Sequence, residues 1–400
     1  MRAKSPTSHA LKWLLALSSA EIATMLTFGS YSAVLPVLRV EWHLTAAQAG
    51  GIFAGQQIGY TAAVLVLSSL TDIIGVRTIY LVSAMWNGAF GILFALFANG
   101  FTSALVLRTL GGMGLAGTYM PGMRLVVETF PAARRGGAMG IYIASFSLGT
   151  SLSLLLTGAL LAAGWRTAFL VTAVGPLLAL IIAWATVHDV PRQTRPRGVA
   201  IGRVLRNTRA MRFITAYAAH NWELFAMRSW LPAFLTSLWL QQGLSLTSAT
   251  ARGATFASAV LLASGVSNAT GGWLSDRLGR SRTIVVVLSA SGLCSALIGW
   301  TAPLGLAVVL TLAIVYGLLV TAESSTLSTA VAESADADAL GTTMAVQSSL
   351  GFLVTAISPP LFGAILDFSG GSWGWAFASL GVAALAGVLT VLRMWGGNAT

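Results

Sequence analysis

The amino-acid sequence predicts an all-α integral membrane protein: twelve transmembrane helices in two six-helix bundles, parallel repeats around a central cavity. Three observations lead there. Of the 400 residues, 56% are hydrophobic and only 9% charged, and the mean hydropathy is +0.79, whereas soluble domains carry about a quarter charged residues. The apolar residues fall in runs long enough to cross a hydrocarbon core, which takes about 20 residues for about 30 Å. The pattern of the first half also returns in the second, offset by 204 to 205 residues.

Twelve runs can be laid out, at approximately 13–37, 47–70, 78–98, 103–126, 138–162, 166–188, 212–238, 252–274, 283–301, 304–330, 340–366 and 373–394. Their length and continuity indicate helices rather than barrel strands, since every backbone polar group must be satisfied within the membrane. The first run follows Arg2, Lys4 and Lys12 and passes Ser18-Ser19-Ala20, small residues like those of a signal-peptide cleavage site. It continues to about Val37, long enough to span, and is read as an uncleaved first helix.

The net charge of +11 is not a nucleic-acid signature, because the basic residues sit in short loops between oily runs. The N-terminal segment and the loops after even-numbered runs hold Arg77, Arg134, Arg135, Arg192, Arg195, Arg197, Arg203, Arg206, Arg209, Arg277, Arg280 and Arg282, against Arg39, Arg166 and Arg252 opposite. The positive-inside rule then places both termini in the cytoplasm. Glu333, Asp336 and Asp338 stand in one inside loop that has no cation of its own. The longest polar segment, about His188 to Arg212, holds Pro191, Pro196 and seven arginines and separates the runs six from six. It reads as a cytoplasmic linker over 189–211 with room for a short amphipathic helix on the membrane surface. The bundles are thus residues 1–188 and 212–400. The single Cys294, in an apolar run, permits no intramolecular disulfide.

The repeat is explicit in two motifs. SSLTDIIGVRTIY (Ser68 to Tyr80) precedes the third run and GWLSDRLGRSRTI (Gly272 to Ile284) the ninth. Leu70, Asp72 and Gly75 match Leu274, Asp276 and Gly279 at an offset of 204, and Glu128 matches Glu333 at 205. Two halves of like orientation belong to one class of secondary transporter. GWLSDRLGRSR resembles the loop signature G-x-L-a-D-r-x-G-r-k of the major facilitator superfamily. The first copy departs from it at Ser68, Ile73 and Val76. RTLGGMGLA (Arg108 to Ala116) resembles that family's R-x-x-q-G-x-g-a, with Gly111 where glutamine is common, and GWRTAF (Gly164 to Phe169) is similar to the start of its sixth helix. The resemblance implies alternating access, with Asp72, Gly75, Arg77, Asp276, Arg277, Gly279 and Arg280 as gating residues. The plainer role for such residues is to anchor a turn.

Ionisable residues within the runs are the site candidates, because burying charge in a membrane is costly and such groups face cavities or one another. They are Glu21, Arg108, His220, Glu223, Arg228 and Glu323. Helical spacing puts Arg108, Gly111, Gly112, Leu115 and Tyr119 on one face and Asn221 and Arg228 on another, with His220 and Glu223 neighbours at i, i+3. Arg108 either grips a substrate anion or braces its helix through backbone carbonyls. His220 and Glu223 are either proton-linked or a structural pair, and Glu21 and Glu323 are possible partners for Arg108 or Arg228. Gln56, Gln57, Tyr60, Tyr31 and Trp222 suit a polar cavity with aromatic walls. Trp165, Trp300, Trp373 and Trp375, at run ends, read as part of an interfacial belt.

Absences narrow the reading. There is no phosphate-binding loop for ATP, no paired Cys/His metal set and no placed hydrolytic triad, so neither an enzyme nor a cofactor is expected. The fifth run has no Gly-Pro pair, against the drug–proton antiporter pattern, and the second has glutamines where the nitrate branch has an arginine. The expected function is a monomeric, proton-coupled transporter of a small polar or anionic metabolite in a bacterial inner membrane. A drug or metabolite efflux pump is the alternative. A transporter-derived receptor fits poorly, since the linker has no domain.

Overall fold

The computed structural model describes residues 8–188, 201–336 and 338–393. All regular elements among them are helices. The chain runs through α1 (Ser8–Thr24), a 3-10 turn at Met25–Thr27, α2 (Ser30–Glu41), α3 (Ala46–Ile74), α4 (Val76–Phe97), α5 (Phe101–Thr129), α6 (Ala132–Leu160) and α7 (Trp165–Thr186). The short α8 (Ile201–Arg206) leads to α9 (Thr208–Gln241), α10 (Leu246–Leu278), α11 (Arg280–Ile298), α12 (Leu306–Ser334), α13 (Leu340–Phe368) and α14 (Trp373–Leu392). With α1 and α2 taken as one broken segment, the long helices overlap the runs laid out from the sequence. Eight are long and apolar enough to cross a membrane, or nine if α3, bent by 41° between Val64 and Val66, is one span. Helices α5, α9 and α10 are as long, at 29, 34 and 33 residues. Their interior faces are more polar: Arg108 on α5, His220, Asn221, Glu223 and Arg228 on α9, and Ser258, Ser264 and Ser267 on α10.

Glycine sets the closest helix approaches. A Cβ on Gly59 would run into the Thr109 carbonyl, and one on Gly112 into the Gln56 carbonyl, so α3 and α5 meet backbone to backbone. Gly271 of α10 lies against the Ala322 carbonyl of α12 in the same way. Small residues permit such contacts where lipid supplies no hydrophobic drive between helices.

The two copies of the motif fold alike. Gly75 (φ 93°, ψ 148°) and Gly279 (φ 86°, ψ 149°) each form a one-residue joint between consecutive helices. That backbone region is open essentially to glycine alone. Beside each joint lies an acid–arginine–acid triad. In the second half Arg280 binds Asp276 at 2.6 Å and Glu333 at 3.0 Å and also meets the Ser275 hydroxyl. In the first half the cation comes from another helix: Arg124 of α5 binds Asp72 at 2.5 Å, Glu128 at 2.7 Å and the Thr71 hydroxyl at 2.7 Å. The first copy, with Val76 where the second has Arg280, is thus completed from outside the motif. Arg77 donates to the Trp184 carbonyl at 2.9 Å, and Arg277 stacks 3.9 Å from the Trp273 ring centroid.

The acidic loop also finds cations at a distance: Arg280 for Glu333, and Arg203 of α8 for Asp338 at 2.6 Å. Residues 189–200, with Arg192, Arg195 and Arg197, lie outside the described residues. Helix α8 supplies the short helix expected of the linker, and it packs on α13. Asn207 then caps α9 by accepting from Ala210 N–H at 3.0 Å, and it donates to the Ser334 carbonyl at 2.9 Å. Of the four end tryptophans, Trp300 and Trp375 are exposed. Trp165 turns inward, donating to Glu41 at 2.8 Å, and Trp373 packs beside Trp230 and Phe234.

Helices α1–α7 and α9–α14 touch one another chiefly through α3 with α13 and α6 with α10. Along α6 and α10 the contacts run from Gly158–Ala254 through Ser151–Ser258 to Ser147–Gly265. Beyond that, toward the arginine-rich loops, a Cβ on Gly140 would meet nothing within 4 Å. The opposite end is held by a shared helix cap. Thr45 accepts from Gln48 N–H at 3.1 Å, and Asp367 of α13 accepts from Ala46 and Ala47 N–H at 2.9 Å each. Thr45 N–H in turn donates to Gln48 Oε1 at 3.0 Å, so all four orphan donors of α3 are satisfied, two of them from across the interface. Arg39 stands 3.9 Å from the same carboxylate.

Losing a cap costs about 1 kcal/mol, or about fivefold in a two-state population. Asp367→Ala is therefore expected to open this end about fivefold more often. An impermeant thiol reagent entering from this side should modify Ser147→Cys faster by that factor in a Cys294→Ser background. An unchanged rate contradicts the cap as a closure. The second expectation concerns the triads. Side-chain exposures are 21% for Arg124, 20% for Asp72 and 11% for Glu128, against 25%, 67% and 52% for Arg280, Asp276 and Glu333. Less exposed ion pairs are less screened, so Arg124→Ala should lower the melting temperature more than Arg280→Ala. Equal shifts contradict that ranking.

Candidate functional site

Where the contacts between the halves stop, a cavity of about 160 Å³ begins. Its walls come from both halves of the chain. Aromatic rings dominate: Phe28, Tyr60, Tyr119 and Phe146 from the first half, Tyr217, Phe225 and Phe352 from the second. Gln57, Ser147, Asn221, Asn268, Thr321, Ser324 and Arg228 supply the polar surface.

Arg228 is the charged group of this cavity. Its guanidinium carbon lies 6.0 Å from the Phe146 ring centroid and 5.9 Å from that of Phe225, within cation–π reach of both. It makes no ion pair among the described residues. Asn221, two turns earlier on α9, shares the cavity wall, as the seven-residue spacing predicts. Several cavity groups carry a buried polar atom without a partner: Gln57 Nε2, Tyr60 Oη, Asn221 Nδ2, Asn268 Oδ1 and Thr321 Oγ1. Unpartnered polar groups cost free energy in a buried site.

Arg108 lies elsewhere. It donates to Gln56 Oε1 and, at 3.3 Å, to the Thr27 carbonyl in the broken stretch between α1 and α2. Its guanidinium stands 5.4 Å from the ring of Tyr31, whose hydroxyl donates to the Ala49 carbonyl at 2.8 Å. Arg108 borders a void of about 20 Å³ with Thr27, Gln56, Asn87 and Gly111, too small for an organic acid. Leu115 and Tyr119 reach the main cavity while Arg108 and Gly111 do not, so the shared face is divided along the length of α5. Helix α3, brought close by Gly59 and Gly112, stands between Arg108 and that cavity. Gln56 turns to Arg108, whereas Gln57 and Tyr60 face the cavity. Trp222 packs into the neighbouring core rather than lining the cavity.

The buried acids find partners that local spacing does not indicate. Glu323 Oε1 is 2.8 Å from His220 Nδ1, and the Ser324 hydroxyl is 2.7 Å from His220 Nε2. His220 therefore pairs with α12, not with Glu223 three residues along its own helix. Glu223 Oε2 instead accepts from Ser291 of α11 at 3.3 Å. Glu21 Oε2 accepts from the Tyr142 hydroxyl at 3.0 Å. Neither Glu21 nor Glu323 forms an ion pair with Arg108 or Arg228 among the described residues. Each of the three acids is fully buried and keeps a second oxygen without a partner. Arg124, Asp367, Tyr142 and Ser324 escaped the reading of the sequence. Only Arg124 left a signal there, four residues before Glu128 on one helix face. No group of three or more His, Cys, Asp or Glu suited to a metal occurs among the described residues.

The comparisons agree with this architecture. A protein named as a probable 4-methylmuconolactone transporter from Cupriavidus pinatubonensis is 26% identical over 272 residues, 64% of this chain and 61% of that one. The hexuronate transporter of Bacillus subtilis is 26% identical over 252 residues, 59% of this chain and 58% of that one. The galacturonate transporter of Dickeya chrysanthemi is 30% identical over 185 residues, 44% of this chain and 50% of that one. The chain thus aligns with about three fifths or less of these relatives' length. Among solved structures, a bacterial homologue of the lysosomal transporter Spinster in an inward-facing, unoccupied conformation superposes with a TM-score of 0.74 at 17% identity, covering 97% of this chain and 96% of that one. The nucleoside transporter NupG gives a TM-score of 0.81 at 13% identity, covering 96% and 99%. At such identities the likeness is one of fold. The model of the Major Facilitator Superfamily matches residues 17–359 and again 238–397. With its helical architecture and membrane-length apolar segments, this multi-pass membrane protein belongs to the Major Facilitator Superfamily.

Proposed function

We propose that this chain is a proton-coupled secondary transporter that moves a small organic anion across a bacterial inner membrane by alternating access. The observation that carries the proposal is Arg228. It is a cation without a carboxylate partner among the described residues, set between two aromatic rings in a cavity with unpartnered hydrogen-bonding groups. A guanidinium offers a carboxylate two parallel hydrogen bonds and stays charged at working pH. The similar proteins named above are named as transporters, in one case probable, of 4-methylmuconolactone, hexuronate and galacturonate, all small organic acids, in keeping with this reading. A positive charge in the cavity disfavours cationic drugs as cargo.

Alternating access is supported by the one-sided contact between the halves. Residues 1–188 and 212–400 act as two bundles that rock about the cavity. The Asp367 cap closes one end, and the triads at Gly75 and Gly279 stiffen the helix pairs at the other. Buried Glu21, Glu223 and Glu323 support a proton as the driving ion, since acids held within a membrane protein commonly mark proton paths. Both termini then face the cytoplasm, and the protein works as a monomer.

The two arginines give the test. Hydrogen bonds to charged groups contribute about 1.5–3 kcal/mol, or about 10- to 150-fold in affinity. Arg228→Ala should weaken binding of a carboxylate substrate by that factor, and Arg228→Lys by less, with both proteins folded. Arg108→Ala should lower the melting temperature and leave affinity in the folded fraction within about twofold, because it braces the break between α1 and α2. Titrating benzoate and galacturonate into the same purified variants, with melting curves alongside, checks both expectations. Wild-type affinity in Arg228→Ala, or lost affinity in a stable Arg108→Ala, overturns the assignment.

A further inference from the structure

Three buried acids can carry a proton, but they differ in their connection to the cavity. From Glu223 the hydrogen bond leads to Ser291 on α11, outside the cavity wall. From Glu21 it leads to the Tyr142 hydroxyl, whose other contact is the Tyr119 backbone carbonyl at 3.4 Å, and a carbonyl cannot pass a proton on. From Glu323 it runs unbroken: Glu323 Oε1 to His220 Nδ1 at 2.8 Å, then His220 Nε2 to Ser324 Oγ at 2.7 Å. Ser324 lines the cavity. Two consecutive residues of α12 thus grip the two ring nitrogens of one histidine, the geometry of a shuttle rather than of a dead end. The seating of Ala322 against Gly271 fixes the register of α12 here.

Resting on the proton-coupled reading above, we propose that Ser324, His220 and Glu323 form the site where the coupling proton is loaded and released, with Ser324 as entry, His220 as shuttle and Glu323 as carrier. The step balances without another reactant. A hydronium ion in the cavity gives a proton to the Ser324 hydroxyl and is left as water, as that hydroxyl passes its own proton to His220 Nε2. The proton on Nδ1 moves to the Glu323 carboxylate. Glu323 ends protonated, His220 neutral with its proton on Nε2, and Ser324 restored. Release is the reverse. The charged and titratable groups around the relay are Arg228, Glu223 and Tyr217 of α9 and Tyr316 of α12. The Tyr217 ring is 6.1 Å from His220, and the charges of Arg228 and Glu323 act on His220 and Glu223 respectively. Tyr142 and Glu21 belong to the other half of the chain.

The placement also links proton to cargo. Asn221 and Arg228 on α9, and Thr321 and Ser324 on α12, all face the cavity. Arg228 and Ser324 line one cavity, so an anion seated on Arg228 shields the relay from water and the proton loaded on Glu323 is held while the cavity is occupied.

The test uses full-length protein in proteoliposomes, with labelled galacturonate and benzoate as probes. Glu323→Gln and Ser324→Ala should each lose about tenfold or more of uptake driven by a pH gradient, with a far smaller loss of counterflow at equal pH. Ser324→Thr, which keeps the hydroxyl, should recover most of the uptake lost in Ser324→Ala. Ser291→Ala, beside Glu223, should behave as wild type. Gradient-driven uptake by folded Ser324→Ala and Glu323→Gln at the wild-type rate overturns the relay while leaving proton coupling intact. Wild-type uptake indifferent to the gradient overturns the coupling and the relay with it. A substrate-free infrared titration between about pH 5 and pH 9 covers the case where neither probe is carried. A titrating carboxyl band lost in Glu323→Gln supports the carrier, and an unchanged band overturns it.

Discussion

A hydrocarbon environment supplies no hydrogen bonds, so each polar side chain sent into it must find a partner within the protein or face a cavity. That constraint organises this structure. Arg108 is spent on Gln56 and a carbonyl freed by the break after α1, whereas Arg228 is left to the cavity. Glu323 and Ser324 divide the two nitrogens of His220 between them. Some of the atoms left over, among them Asn221 Nδ2, Gln57 Nε2 and Tyr60 Oη, belong to residues on the wall of one chamber, while others, such as the second oxygens of Glu21, Glu223 and Glu323, lie outside it.

The same constraint acts at helix ends. The N-terminus of α3 is half capped by its own Thr45 and half by Asp367 of the other half. A cap made in one piece would not care whether the halves meet; this shared one does. At the other end each triad lies within one half, and the two differ in which helix supplies the arginine and in how far they are exposed. The acids and hydroxyls recur at Thr71-Asp72 and Ser275-Asp276 and at Glu128 and Glu333, while the cation moves from Arg280 to Arg124. The charge constellation is kept although its residue-by-residue pattern is not.

Much of this was legible in the sequence. Apolar runs marked the helices because hydropathy is a local property, and the repeat exposed the glycine joints because only glycine serves at that backbone position. The seven-residue spacing placed Asn221 and Arg228 on one wall. What failed was pairing across helices. The i, i+3 spacing of His220 and Glu223 is genuine, yet the partner of His220 lies 103 residues away on α12. The face shared by Arg108 and Tyr119 spans three turns, enough for a crossing helix to divide it. Asp367 sits at a helix end with nothing nearby in sequence to mark it, since its partners are backbone amides 320 residues before it. A degraded motif hid the first triad because the eye follows positions rather than charges.

The account rests on closure passing from one end of the cavity to the other. Spin labels at Ala47 and Phe368 report the capped end, and labels at Gly140 and Gly272 the end where the helices part. Cys294→Ser supplies a background without other thiols, and each pair is measured by pulsed electron resonance as pH and carboxylate substrate are varied. The account predicts that conditions lengthening the distance between 47 and 368 shorten that between 140 and 272, and the reverse. Distances that never change, or that lengthen and shorten together, contradict it.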